Sequence, residues 1–247
     1  PRLAAMLASA VGEDEIATAA KLAAILEQPP RGSSSDLAQA FSRNQPEWQQ
    51  RARQLNARLN NRGGTPDSDH VPALLAKAFP DRIARRRGLD GRYQLANGMG
   101  AMLQSDDAMT RHEWLIAPSL LQGSQSPDAR ILLGLAVDID ALITASPGLV
   151  TQSDTVEWDD AQGTLKAFRR AQIGRLTVNV KPLAKPSEEE LHQAMLNGIR
   201  DKGLSVLNWT PEAEQYRIRL HCAAQWLPEF DWPAVDEASL LANLENW

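Results

Sequence analysis

The sequence has one cysteine, few aromatic residues and no long apolar run. Aromatic residues make up 5% of the 247 residues, and Cys222 is the single cysteine. One thiol excludes an internal disulfide and is typical of a reducing compartment. No apolar stretch approaches the roughly 18 residues of a membrane-spanning helix, and no signal-peptide pattern is present. These absences predict a folded, cytoplasmic chain that does not enter a membrane.

Motifs for nucleotide chemistry and metal binding are also missing. Nothing matches G-x-x-x-x-G-K-(S/T), and Gly98-Met99-Gly100 lacks the third glycine and the helix of a dinucleotide loop. Asp14-Glu15 lies at a predicted helix N-terminus, where acids stabilise the helix dipole. The four histidines are scattered and have neither metal-ligand spacing nor a nucleophile beside them. We therefore expect no catalytic residue, metal or cofactor in this chain, and no ATP hydrolysis by it alone.

The charge balance argues against a globally basic nucleic-acid binder, because 26 basic and 31 acidic residues give a net charge of −5. Two basic clusters could still track a phosphate backbone locally. One comprises Arg82, Arg85, Arg86, Arg87 and Arg92. The other lies between residues 161 and 186, a segment without acids, and comprises Lys166, Arg169, Arg170, Arg175, Lys181 and Lys185. Structural roles, at a helix C-terminus or on a strand's outer face, are the alternative.

The first third of the chain has a helical pattern. Leu3, Leu7 and Val11 share one predicted face, and alanine-rich turns follow up to Pro29-Pro30. Another helix opens at Pro46 and places Trp48, Leu55 and Leu59 on its apolar side. The periodicity then carries the last helix through Arg82, Arg85 and Arg86 to Gly88.

The middle of the chain changes to short strands, predicted at 92–96, 99–103, 113–117 and 130–135. Asn97-Gly98 is a strong signal for a hairpin between the first two. A small barrel would remove the exposed edges of these strands, and a short helix from Asp138 to Ile143 would close it.

The last third alternates strands between 156 and 180 and then becomes helical. Ser187 and Glu190 form a capping box, and Thr210-Pro211 opens the next helix. Four tryptophans are either core residues or partner contacts: Trp209, Trp226, Trp232 and Trp247. We expect the apolar residues of the final segment to be partly exposed or to meet another chain: Leu240, Leu241, Leu244 and Trp247.

One segment resembles a motif of the HrpB branch of DExH-type superfamily-2 helicases. It is Ala78–Leu103, AFPDRIARRRGLDGRYQLANGMGAML. In the family motif, A-(Y/F)-P-D-R-I-A-x-x-R leads into Y-x-L-A-N-G. Three further stretches fit in the same order. They are PRLAAML at residues 1–7, Ser35-Asp36-Leu37, and EWLI at 113–116 ahead of Arg130-Ile131. The resemblance covers essentially the whole chain and implies a fragment of an accessory C-terminal region.

The resemblance implies an α+β architecture in three parts: a ratchet-like helical bundle at 1–88, an OB-fold-like barrel at 89–150 and a mixed C-terminal unit at 151–247, cut at its end. It implies that ATP and magnesium bind to RecA-like domains outside this chain, while this region helps to hold single-stranded RNA, with DNA as a second candidate. The candidate contact residues come from the two basic clusters and from Arg111: Arg82, Arg85, Arg86, Arg87, Arg92, Arg111, Lys166, Arg169 and Arg170.

One departure from the related DEAH helicases limits this comparison. Where relatives often carry H-P-x-S, this chain has Gln104-Ser105-Asp106-Asp107, whose acids would repel phosphate. Arg111 and His112 are the neighbouring alternatives for RNA contact. The rival function is a protein-interaction module that docks a partner through the tryptophan-rich last third, with the arginines purely structural.

Overall fold

The computed structural model describes residues 1–30, 34–88, 90–123, 126–160 and 162–246. They form two compact units. The first unit comprises Pro1–Thr151 with Ala171–Asn179, and the second unit comprises Gln152–Arg170 with Val180–Trp247. Within the described residues, no helix is both long and apolar enough to cross a membrane.

A helical bundle opens the first unit, as the sequence predicts. Its helices, within the described ranges, are α1 (Arg2–Ser9), α2 (Glu13–Glu27), α3 (Leu37–Ser42), α4 (Pro46–Arg58) and α5 (Val71–Ala78). Helix α2 lies centrally, because small side chains such as Ala20 and Ala23 allow its neighbours to approach closely. The prediction that Val11 shares the apolar face of α1 is wrong, because Val11 lies beyond that helix and is 79% exposed.

The last helix of the bundle ends earlier than its periodicity predicts. Helix α5 stops at Ala78, Phe79 leaves helical geometry with φ −132° and ψ 50°, and Pro80–Arg82 form a single 3-10 turn. The residue before a proline is biased away from helical geometry, which accounts for the early end. Residues 83–86 are a strand, so the prediction that Arg82, Arg85 and Arg86 lie on a helix is wrong.

A closed five-stranded barrel follows the bundle. Its strands are β1 (Ile83–Arg86), β2 (Arg92–Leu95), β3 (Gly100–Met102), β4 (Trp114–Leu121) and β5 (Ala129–Ala136). The order around the barrel is β1-β2-β3-β5-β4, with β3 and β5 parallel and the other pairs antiparallel. The four predicted strands and the OB-fold-like barrel are confirmed. Strand β1 was missed, and it lies before the boundary predicted at 88/89.

The hairpin predicted at Asn97-Gly98 joins β2 to β3. Gly98 has φ +91°, a conformation that an L-residue rarely adopts, and the amide of Leu95 donates to the carbonyl of Met99 at 2.8 Å. Tyr93 and Leu95 point into the barrel, as their alternation predicts. Met99 is exposed at the turn, whereas Ala101 two residues later is buried inside the barrel.

The bundle and the barrel share one apolar core. A single buried cluster contains Leu22 and Leu75 from the helices together with Ile83, Ile116 and Leu135 from the strands. Burial of this kind is the main favourable contribution to folding. Helix α6 (Ile139–Ala145) packs beside α5 and agrees with the short helix predicted at 138–143.

A three-stranded sheet comes next, in the order β6-β7-β8, from β6 (Thr151–Asp159), β7 (Thr164–Ile173) and β8 (Leu176–Pro182). The helices α7 (Glu188–Lys202), α8 (Pro211–Trp226) and α9 (Glu237–Ala242) complete the described chain. Both predicted helix starts are confirmed. Ser187 and Glu190 form a reciprocal capping box, and Thr210 accepts from the amide of Ala213.

The helical part of the second unit has a small core, formed by Leu196, Ile199, Leu204 and Leu244. The expectation of an exposed final segment is wrong for Leu244, which is buried, whereas Leu240 and Leu241 are partly buried against this core. The prediction for Trp247 lies outside the described residues.

The tryptophans of the second unit have different environments. Trp209 and Trp232 are partly buried, and each donates its ring N–H to a backbone carbonyl, at 2.9 Å in both cases. Trp226, at the end of α8, is 77% exposed. This tryptophan is available to a partner, whereas the other two hold the local backbone.

Candidate nucleic-acid interface

Three arginines extend from one end of the barrel into solvent. Arg87 and Arg92 flank the β1–β2 turn, where the amide of Arg87 donates to the carbonyl of Arg92 at 2.7 Å. Arg111 ends a 3-10 turn, Ala108–Arg111, that packs beside the same strands. Among the described residues, the nearest carboxylate to any of these guanidinium groups is Asp90, 4.0 Å from Arg92. We call Arg87, Arg92 and Arg111 the barrel-end arginines.

The 3-10 turn that carries Arg111 is held by side chains from the barrel wall. The Tyr93 hydroxyl lies 2.8 Å from the carbonyl of His112 and 3.1 Å from that of Met109, and burial raises the pKa of this phenol. Arg86 Nη1 donates to the carbonyls of Thr110 and Arg111 at 3.2 and 3.0 Å. These bonds fix the backbone at Arg111 while its side chain stays exposed.

Asp107, one of the two acids expected to repel phosphate, has a local structural role. Its carboxylate accepts from the amide of Met109 at 2.9 Å and from the hydroxyl of Ser35 at 2.6 Å. It thereby caps the 3-10 turn and joins it to the segment before α3. Asp106 is exposed beside it.

Arg82 and Arg85 contact other parts of the first unit. Arg82 Nη1 donates to the carbonyl of Pro118 at 2.5 Å, and burial, together with the nearby positive charge of Arg2, lowers its pKa. Arg85 lies 5.2 Å from the ring centre of Trp114, pairs with Glu113 at 3.1 Å and donates to the carbonyl of Thr177 at 2.8 Å. Such contacts are typical of arginines that hold a fold together.

Three cations of the second basic cluster pair with acids of the neighbouring strand β6, whereas Arg175, Lys181 and Lys185 are exposed. Arg169 pairs with Asp154 through two bonds of 2.7 Å, and this hydrogen bonding lowers the pKa of the Asp154 carboxyl. Arg170 bonds to Glu157 at 2.7 Å, and Lys166 pairs with Asp159. The segment around these cations has no acids in sequence, but β6 supplies acids across the sheet.

The nine predicted contact residues therefore divide into two groups. Six bond to backbone carbonyls or to carboxylates of the protein, and the three barrel-end arginines present their charges to solvent. Sequence reasoning did not detect a further basic set, Lys21, Arg43 and Arg53, which three helical segments bring to one groove. No local signal could have found this set, because its members are dispersed along the sequence.

The described residues offer no alternative metal centre. Within the ranges that the structure covers, no group of three or more histidine, cysteine, aspartate or glutamate side chains could hold a metal ion. Cys222 is a free, partly buried thiol on α8.

A helical bundle joined to a closed five-stranded barrel is the architecture expected of the accessory region of a DExH-type helicase, and comparison with known proteins agrees with this class. Residues 149–183 match the family model of the connector region of ATP-dependent RNA helicase HrpB. The chain is 76% identical over its 247 residues to the ATP-dependent RNA helicase HrpB of Escherichia coli (strain K12), of which it covers 30%. The chain belongs to the HrpB family, as its motifs predict.

Two solved structures agree with this result. The crystal structure of the E. coli DExH-box NTPase HrpB aligns with a TM-score of 0.75 at 76% identity, over 100% of this chain and 31% of that one. The crystal structure of the Escherichia coli DEAH/RHA helicase HrpB aligns with a TM-score of 0.73 at 70% identity, with the same coverage of 100% and 31%. The chain spans less than a third of the length of these relatives.

Proposed function

We propose that this chain is the accessory region of an ATP-dependent RNA helicase, and that the barrel-end arginines hold single-stranded RNA. In this proposal the rest of the helicase contains the RecA-like domains, which bind ATP and magnesium. A cytoplasmic location, expected from the single cysteine, is part of the same proposal. The relative that covers the whole chain is an ATP-dependent RNA helicase, which supports this role.

The observation that carries the proposal is a contrast between the six cations that bond to carbonyls or carboxylates and the three exposed barrel-end arginines. The described side chains nearest to these arginines are Asp90, 4.0 Å from Arg92, and His112, 3.5 Å from Arg111 Nε. Arg86 and Tyr93 fix the backbone that carries Arg111, and the cross-strand bond places Arg87 beside Arg92. An exposed guanidinium without a close carboxylate can donate two parallel hydrogen bonds to a phosphate. Three such groups at one end of a barrel can therefore follow the backbone of a single strand, although the chain as a whole is acidic.

The salt dependence of RNA binding tests this proposal. Each phosphate neutralised on a single strand contributes about 0.7 to the slope of log K against log salt, so three contacts contribute about 2. We expect the triple variant Arg87→Gln, Arg92→Gln, Arg111→Gln to reduce the slope by about 2 in anisotropy titrations with labelled oligo(U). Parallel titrations with oligo(dT) of equal length measure any preference for RNA over DNA.

A matched control changes three other exposed arginines, Arg58, Arg62 and Arg219, to glutamine. It removes the same charge without touching the barrel end, and we expect it to leave the slope within experimental error. In a full-length helicase that carries this chain, the barrel-end variant should lower RNA-stimulated ATP hydrolysis but not the RNA-free rate. An equal slope change in both triple variants would contradict a specific role for the barrel end.

The second candidate function, a protein-interaction module, is favoured by the surface of α8. This helix has no buried residue, and its Tyr216, Ile218 and Trp226 are exposed. Leu227 and Phe230, just after the helix, extend the same exposed apolar set. An unchanged salt slope in the barrel-end variant would favour this function over RNA binding.

A further inference from the structure

Two adjoining grooves open on the first unit and share Lys21 and Pro66. The larger, with a volume of about 410 Å³, is lined by basic and amide side chains of α2, α4 and the segment between α3 and α4. The smaller, of about 280 Å³, is mainly apolar and includes Phe41 and Val71 in its wall. The larger volume is in the range of sites that bind small organic molecules, and the smaller one is just below it.

Lys21 lies where the grooves meet and has no acidic partner among the described residues. Its ammonium group is 4.5 Å from the ring centre of Phe41, and no described carboxylate is within ion-pair distance of it. The side chain is partly buried, and this burial lowers its pKa. A partly desolvated cation without a counter-charge gains free energy when an anion binds beside it.

Two arginines add positive charge to the larger groove. Arg43 Nη2 donates to the neutral amide oxygen of Gln39 at 2.9 Å, and Arg53 is exposed on α4. Among the residues that the structure describes, no aspartate or glutamate lines the groove. The nearest acid in sequence to Pro66 is Asp67, whose carboxylate accepts from the amide of Asp69 at 3.0 Å and caps the turn before α5.

Polar amides and an apolar surface complete the two grooves. Asn44, Gln49 and Asn56 line the basic groove and can bond to hydroxyl groups or to further oxygens of an anion. Phe41 and Val71 give the neighbouring groove an apolar wall next to Lys21. The juxtaposition matches a ligand that has a phosphate at one end and a flat, weakly polar ring at the other.

We propose that these joined grooves bind a nucleotide, with Lys21, Arg43 and Arg53 around its phosphate and the base against Phe41 and Val71. The nucleotide is either a free mononucleotide or one unit of an RNA strand, since both present the same phosphate and base. The site is distinct from the barrel-end arginines, because none of those residues lines either groove.

Calorimetric titration of the chain with uridine 5′-monophosphate, uridine and inorganic phosphate tests the site. We expect Lys21→Gln to weaken binding of the monophosphate about tenfold or more, because a charge-assisted bond to phosphate is lost. Arg53→Gln should weaken it about threefold to tenfold by the same reasoning. Uridine should bind too weakly to detect, and inorganic phosphate should bind more weakly than the nucleotide.

Arg58→Gln is the matched control. Arg58 lies five residues after Arg53 on α4, which places it about 140° around the helix, and it does not line the groove. We expect less than a twofold effect. Since Arg53 is exposed, its variant keeps the proposal testable even if the Lys21 variant is unstable, and thermal unfolding of each variant verifies its fold.

Titration with oligo(U) distinguishes the two sources. Parallel losses of monophosphate and oligo(U) binding in Lys21→Gln would assign the groove to an RNA strand, and loss of monophosphate binding alone would assign it to a free nucleotide. Equal binding of the monophosphate to wild type, Lys21→Gln and Arg53→Gln, or no binding at all, would overturn the proposal. The barrel-end triple variant should bind the monophosphate normally, so failure of either proposal can be recognised separately.

Discussion

The two units use charge and burial in different ways. In the first unit, arginines such as Arg82 and Arg86 donate to backbone carbonyls beside a large continuous core. In the second unit, cations such as Arg169 and Arg170 pair with carboxylates across a sheet, and the buried core of its helices is small. A basic run in the sequence is therefore a basic surface only where the fold leaves its charges without partners.

The largest expected difference between the units concerns their cores. Leu115 is completely buried inside the barrel, and Leu196 is almost completely buried in the helical core of the second unit. We expect Leu115→Ala to lower the free energy of unfolding by about 3 kcal/mol, and Leu196→Ala by about 2 kcal/mol, since a small core can collapse around the deletion. Urea unfolding, monitored by hydrogen exchange, measures the stability of each unit separately.

The location of the exchange is as informative as its size. Leu115→Ala should increase exchange mainly in the barrel, because Leu115 belongs to a buried cluster inside the barrel that is separate from the core shared with the bundle. Leu196→Ala should act on α7 and its neighbours only. A uniform increase across the whole chain in both variants would show that the two units unfold as one.

The two kinds of arginine contact give a smaller expected difference. Arg86→Gln should destabilise the first unit by about 1.5 kcal/mol, because the partly buried carbonyl of Thr110 and the exposed carbonyl of Arg111 lose their charged donor. Arg169→Gln breaks an exposed pair with Asp154, and its smaller effect should vanish in high salt. Thermal unfolding at low and high salt compares them. Equal, salt-sensitive losses would contradict a buried structural role for Arg86.

The features that the sequence predicts well are those specified by neighbouring residues. The Asn97-Gly98 hairpin and the Ser187 capping box each depend on a few consecutive positions, and both are present. Strand β1 was missed because its extended form depends on pairing with β2 and β4, and β4 is about thirty residues away. The helical periodicity that predicted a helix through Arg82, Arg85 and Arg86 was accidental, and Pro80 decided the local conformation.

Charge pairing was equally hard to predict for physical reasons. The acids that neutralise Arg169 and Arg170 come from β6, and the turn between β6 and β7 brings them into contact. Lys21, Arg43 and Arg53 meet because the helices of the bundle pack together.

The smallest expected effect is a pH dependence within the first unit. Arg2 donates to Asp81 at 2.5 and 2.9 Å, which holds the pKa of the Asp81 carboxyl below its ordinary value of 3.8. Stability from this pair is present above pH 3.8 and is lost as the pH falls through the lower, folded-state pKa of Asp81. The two side chains are 43% and 34% exposed, so solvent screening limits the contribution to about 0.5 kcal/mol.

Thermal unfolding of wild type and Arg2→Gln at two pH values measures this contribution. The variant should be less stable at pH 7 by about 0.5 kcal/mol, and the difference should disappear once the pH has fallen through the lowered, folded-state pKa of Asp81. Arg62→Gln, which removes an exposed arginine elsewhere, should show no such dependence. A difference between wild type and Arg2→Gln that persists at low pH would assign the effect to packing of Arg2 on Phe79, 5.5 Å away.

The tight turn between β7 and β8 limits how this part of the sequence can evolve. Gly174 has φ +56°, and a β-carbon there would lie 2.3 Å from the carbonyl oxygen of Ala96, which also accepts from the amide of Arg175 at 2.8 Å. Gly163 has a similar φ of +61°, but its surroundings are open. Substitution of Gly163 by asparagine should therefore be tolerated during evolution, whereas substitutions of Gly174 should be removed by selection.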